Sequence, residues 1–144
     1  MELQSPAFEH HAEIPQKYTC DGEDVSPELL IASIPQGTVV FALIVDDPDA
    51  PNGTFDHWIA WNIPVSQGIR EGQTFPNQGK NHFGDLGYRG PCPPPGKPHR
   101  YFFKLYALNQ KIELPQGATK KQLEEKMRGH ILEKAELVGI YQRK

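Results

Sequence analysis

Thr38-Val39-Val40-Phe41-Ala42-Leu43-Ile44-Val45 decides the fold. These eight residues are rich in β-branched side chains and apolar at odd and even positions alike, the pattern of a strand covered on both faces. Pro35-Gln36-Gly37 supplies turn chemistry before it, and Asp46-Asp47-Pro48-Asp49-Ala50-Pro51 follows. Working outward, a second strand is predicted over His57-Trp58-Ile59-Ala60-Trp61-Asn62-Ile63, between Pro51-Asn52-Gly53 and Pro64. A third is predicted over Arg100-Tyr101-Phe102-Phe103-Lys104-Leu105-Tyr106-Ala107-Leu108, after Pro95-Gly96. Strands separated by proline-rich loops imply a mainly β fold, an antiparallel β-sandwich of two sheets.

The C-terminal part reads differently. Thr119-Lys120-Lys121-Gln122 is a capping-box pattern, with Leu123 and Met127 on one helical face and Gly129 as the stop. A second short helical turn is expected around Ile131-Leu132-Glu133-Lys134, and a closing strand over Leu137-Val138-Gly139-Ile140-Tyr141. The expectation is one or two short helices near the C-terminus. With 144 residues, no internal repeat and no flexible linker, residues 1–144 read as a single domain.

Composition excludes several classes. The 15 basic and 18 acidic residues give a net charge of −3, which argues against counterion-releasing nucleic-acid binding. The longest apolar run, Val39 to Val45, is seven residues against the roughly 20 that span a bilayer. The chain is therefore expected not to span a membrane. Met1-Glu2-Leu3-Gln4-Ser5-Pro6 has neither a basic nor an apolar signal-peptide region, so a cytoplasmic location is expected. Two cysteines are too few for a disulfide scaffold or thiolate cluster. Cys20 and Cys92 are expected as free thiols in the cell, pairing only as the minority outcome of purification in air.

Three segments place polar chemistry at strand ends. Asp46, Asp47 and Asp49 put three carboxylates in four positions, so they must be solvated, paired or used; Pro48 and Pro51 stiffen their loop, and either X-Pro bond is open to the cis form. Alone, this reads as a stiff turn with solvated acids. His57, flanked by Asp56 and Trp58, reads alone as a packed core histidine, but beside the Asp47 loop its tautomer and charge come under a carboxylate's control. The third segment runs from Gly87 through Gly90-Pro91-Cys92-Pro93-Pro94-Pro95 to His99-Arg100-Tyr101. Its prolines preorganise it, and Gly90 allows close backbone approach with an N–H free to face an anion.

Together, Asp-Pro-Asp-Ala-Pro at 47–51, His-Trp at 57–58, Gly-Pro-Cys-Pro-Pro at 90–94 and His-Arg-Tyr at 99–101 resemble the phosphatidylethanolamine-binding protein family, also called the Raf kinase inhibitor protein family. Tyr18-Thr19-Cys20-Asp21-Gly22, Ser26-Pro27 and Ala135-Glu136-Leu137-Val138-Gly139 bring the resemblance to its bacterial and archaeal branch, over nearly the whole chain. The chain is shorter than eukaryotic members and carries a different C-terminal helix pattern. The resemblance implies a sandwich with a small anion pocket lined by Asp47, His57 and His99, with Asp49, Tyr101 and the Gly90-Pro91 backbone beside it and Cys92 and Ser26 at the rim. It implies a non-enzymatic, regulatory or inhibitory protein that takes a phosphate or carboxylate group from a small ligand or protein partner, with no cofactor, and a homodimer.

Two alternatives come from the same residues. Two histidines and a carboxylate match a metal-assisted hydrolase in composition, although no H-x-H or H-E-x-x-H spacing is present. Inhibition of a protease or kinase through a surface loop is the other. His57 and His99 are expected in one pocket, and phosphate binding is expected to be strongest in mildly acidic solution if the carboxylates outweigh burial at the imidazoles.

Overall fold

A computed structural model describes all residues, Met1 to Lys144. Seven strands form two antiparallel sheets. β1 (Glu2–Gln4), β2 (Leu29–Ala32) and β5 (Gly68–Ile69) make the smaller, in the order β1-β2-β5. β3 (Val40–Asp47), β4 (Phe55–Pro64), β6 (His99–Leu108) and β7 (Ile131–Tyr141) make the larger, in the order β4-β3-β6-β7. One helix, α1 (Lys120–Met127), precedes β7.

The doubly apolar strand is explained by two cores. Phe41, Leu43 and Val45 of β3 point inward to a cluster of 21 buried residues that includes Leu29 and Ile31 of the small sheet. Val40, Ala42 and Ile44 point the other way, into a separate cluster of 11 that holds Leu123 and Met127 of α1. The sheet is thus covered on one side by a second sheet and on the other by a helix. Thr119 caps α1 as expected: its hydroxyl accepts from the Gln122 N–H, and the Gln122 side chain accepts from the Thr119 N–H.

Two β-bulges in β4 interrupt the ladder to β3. Phe41 faces Ile63 and Leu43 faces Ala60, so two steps on β3 oppose three on β4. Asn62 takes up the difference at a φ of 52°, its side chain bonding both the N–H and the carbonyl of Ile112 at 2.8 Å. Further along, Val45 faces Trp58 while Asp46 faces Asp56, leaving His57 as the extra residue.

Several expectations are corrected. Residues 131–134 are not a helical turn but the start of β7, which pairs along β6 from His99–Tyr141 to Leu108–Ile131. Ladder bonds to a ten-residue neighbour outweigh the local preference, even with Ile131 and Leu132 exposed. No peptide bond is cis, so both X-Pro bonds of the Asp47 loop are trans. Cys20 and Cys92 are not free thiols: they form a disulfide that joins positions 72 residues apart, because the Cys20 N–H already docks on the Pro91 carbonyl at 3.1 Å. Such pairs persist in oxidising compartments and in the cytosol of hyperthermophiles. No helix is long and apolar enough to cross a membrane.

Candidate functional site

The three acids of residues 46–49 diverge, which removes their mutual repulsion. Strand alternation sends Asp46 to the α1 side, where Oδ2 meets Lys104 Nζ at 3.0 Å and Lys120 Nζ at 3.2 Å. Asp47 points inward and its Oδ2 accepts from His99 Nδ1 at 2.7 Å, while Oδ1 caps the Asp49 N–H at 2.7 Å. Asp49 lies outside on a bidentate bond with Arg100, whose guanidinium holds the Asp49 carboxyl down at a pKa of about 2.

Asp47 and His99 meet because β3 ends where β6 begins, on adjacent antiparallel strands. The bulge at His57 brings the third group. Without it, His57 and Trp58 would face opposite ways; with it, both lie on the inner side, His57 edge-on to Tyr101 with centroids 5.3 Å apart. Asp56 is thereby left on the helix side, where Lys120 Nζ reaches its Oδ1 at 2.8 Å.

These residues open onto a cavity of about 390 Å³ at one end of the sandwich. Asp47, His57, His99 and Tyr101 line it, with Cys92, Pro93 and Pro94 as one wall. His57 and His99 therefore share one cavity across 42 residues of sequence. Asp49, Gly90, Pro91 and Ser26 do not line it. The Gly90 N–H, expected to face an anion, instead donates to Asp24 Oδ1 at 2.7 Å. Glycine is needed there for space: a Cβ would stand 2.0 Å from the Tyr18 carbonyl oxygen. Gly90→Ala is expected to destabilise by about 2 kcal/mol, read from urea midpoints, because backbone must move to admit the methyl.

Sequence reasoning missed His82, Phe83 and Phe55, all in the lining. Buried Asn81 builds the turn that presents the first two. Its Oδ1 accepts from the N–H groups of Phe83 and Asp85, and its Nδ2 donates to the Gly87 carbonyl. An Asn preceding two glycines, Gly84 and Gly87, at positive φ was the available signal. Phe55 and Phe83 pack 4.8 Å apart, and Arg89 covers Phe83 with its guanidinium 4.7 Å from the ring centroid. No lysine or arginine lines the cavity.

Hydrogen bonds fix the protonation pattern of the imidazoles. His57 Nδ1 lies 2.7 Å from the Arg89 carbonyl, which only accepts, so Nδ1 carries the hydrogen. His82 Nδ1 accepts the Asp56 N–H at 2.9 Å, so that ring is neutral with its hydrogen on Nε2, facing Asp56 Oδ2 at 3.5 Å. Burial pushes the His57 pKa below its ordinary value, and it prevails over the Arg89 bond and the charges of Asp47, Asp56 and Asp24, which act upward. At His57, then, burial wins over the neighbouring carboxylates. Burial and the Asp47 charge push the Tyr101 phenol well up, so it stays protonated beside that carboxylate.

Comparison with known proteins agrees with this architecture. The family model for phosphatidylethanolamine-binding protein matches residues 4–142. A UPF0098 protein of Pyrococcus horikoshii is 47% identical over 97% of this chain and 76% of its own length. Another from Aquifex aeolicus is 48% identical over 99% of this chain and 89% of its own. The crystal structure of a Chlamydia trachomatis protein described as a phosphatidylethanolamine-binding protein homologue superposes with a TM-score of 0.94 at 41% identity, covering 99% of this chain and 97% of that one. Escherichia coli YbcL, described as a member of the mammalian family, superposes with a TM-score of 0.91 at 30% identity, over 99% and 98% of the two chains. Matched along almost its entire length in sequence and in shape, the chain belongs to the phosphatidylethanolamine-binding protein family.

Proposed function

We propose that the chain is a non-catalytic binding protein whose cavity receives the phosphate-like or carboxylate group of a small ligand or protein partner. The observation that carries this reading is His99, its Nδ1 bound to Asp47, on the wall of a cavity of about 390 Å³ shared with His57. The carboxylate holds the ring by Nδ1, which leaves Nε2 as the ring nitrogen available to meet an anion as a donor. The volume suits a headgroup, and the Phe55 and Phe83 rings offer apolar contact to whatever the anion is attached to. A metal-assisted reaction would need three ligands around one ion, and no group of three His, Cys, Asp or Glu side chains is spaced to hold one.

Titration calorimetry with inorganic phosphate and with phosphoethanolamine, on the wild type and on His99→Ala, tests the reading. Affinity is expected to fall about tenfold in the variant, the loss of one hydrogen bond to the anion. Affinity unchanged by His99→Ala would mean that this imidazole does not carry the binding.

A further inference from the structure

His57 is the cavity group whose hydrogen is fixed most firmly by geometry. Its Nδ1–H is spent on the Arg89 carbonyl, and its ring is packed between Phe55, Phe83 and Tyr101 at centroid distances of 5.1, 5.6 and 5.3 Å. A flip of the ring would break the carbonyl bond. In the neutral imidazole Nε2 is therefore a bare lone pair. It has no protein partner and is not among the enclosed polar atoms, so on a ring that lines the cavity it is the atom open to a ligand. The charged or titratable groups around the ring are Asp47 of β3, Asp56 of its own strand, Asp24 of the N-terminal loop, His82 and Arg89 of the loop before β6, and His99 and Tyr101 of β6. None of them donates to Nε2. Burial keeps the ring neutral at pH 7.5.

Resting on the reading of the cavity as an anion site, this has a consequence for which anions enter. An oxygen without a hydrogen meets His57 lone pair to lone pair; an oxygen that carries one makes a hydrogen bond. We propose that the cavity selects oxyanions that bring their own hydrogen, as hydrogen phosphate does, and discriminates against fully deprotonated ones such as sulfate, because His57 Nε2 has to receive one. Hydrogen phosphate and sulfate have the same tetrahedral shape and, in mildly alkaline solution, the same charge. Phosphate keeps a P–OH and sulfate has none. Whatever His99 contributes acts on both alike. Sulfate binds only when solvent supplies a proton to His57, a requirement that weakens as the pH falls toward the lowered His57 titration.

Calorimetry on the full chain with inorganic phosphate and with sulfate, in two buffers of different ionisation enthalpy, reads both affinity and proton uptake. At pH 7.5 phosphate is expected to bind at least about tenfold more tightly, and sulfate to take up about one proton more per complex. At pH 5.5, nearer to the lowered His57 titration, the gap is expected to narrow. In His57→Gln the amide places a permanent hydrogen near the Nε2 position, and the gap at pH 7.5 is expected to close. Equal affinity and equal proton uptake at pH 7.5 would overturn the selection and leave the anion site standing. Binding of neither anion at either pH would remove both. Should His57→Gln melt at once, the wild-type proton count decides alone.

Discussion

Reducing the Cys20–Cys92 disulfide is expected to lower the free energy of unfolding by about 4 kcal/mol. The bond joins positions 72 residues apart, so its loss restores the loop-closure entropy of half the chain to the unfolded state. Against a total of about 5–15 kcal/mol for a domain of this size, that is a large share. The folded state keeps other ties between the same segments. The Gly90 N–H bonds Asp24, the Tyr88 hydroxyl donates to the Tyr18 carbonyl at 2.7 Å, and the Cys20 N–H donates to the Pro91 carbonyl at 3.1 Å. The reduced protein should therefore remain folded but weakened. With a urea slope of about 2 kcal/mol per molar, the midpoint should fall by about 2 M in reductant, and Cys20→Ser with Cys92→Ser should reproduce the shift. An unmoved midpoint would show that the other ties already constrain the loop. Cys92 also lines the cavity, so the same samples carry the phosphate titration and reveal whether that wall holds its place without the bond.

The second large effect lies behind the site. Asp46 and Asp56 are almost fully buried, and Lys120, the first residue of α1, joins them through one ammonium group. Burial by itself would lower the Lys120 pKa, but the hydrogen bonds and charges of Asp56 and Asp46 outweigh it and raise the value. Lys120→Met is expected to cost about 3 kcal/mol, because it leaves two enclosed carboxylates with only Lys104 and the neutral His82 as partners. Adding Asp56→Asn should recover part of that loss, since one of the two buried charges is then removed and Asp46 keeps Lys104. Urea unfolding of the single and double variants measures both. A single variant within about 0.5 kcal/mol of wild type would mean that water replaces the ammonium at no cost.

How much of this was legible in the sequence depends on the range of the interaction involved. β3, β4 and β6 were readable because their own residues carry the pattern. The capping box of α1 was readable for the same reason, being closed within four residues. β7 was half read: Leu137 to Tyr141 are apolar enough to announce a strand, whereas Ile131 to Glu136 become one only because β6 offers a ladder. Asp47, His57, His99 and Tyr101 were found through motif resemblance, and they converge because three strand ends coincide. His82 and Phe83 were missed, since Asn81 and the glycines after it mark a turn but not that the turn folds over the cavity. The disulfide was misjudged for a similar reason: whether two distant cysteines pair depends on where their loops dock, which no spacing records. Gly90 was assigned a role toward ligand that its close packing on Tyr18 had already taken.

The extra residue at His57 makes strand length as important as residue identity. Delete His57 itself and the ladder closes flat with Asp46–Asp56 and Val45–Trp58 still paired, so only the imidazole is lost; delete a residue between the two bulges instead, and the contents of the two faces beyond it are exchanged at a stroke. Insertions and deletions among relatives should therefore gather in the exposed 50–54 turn and avoid 55–64, however freely individual side chains vary there. A gene library with single-codon deletions scanned across this region would show the boundary directly, as a sharp step from tolerated to lost expression at Phe55.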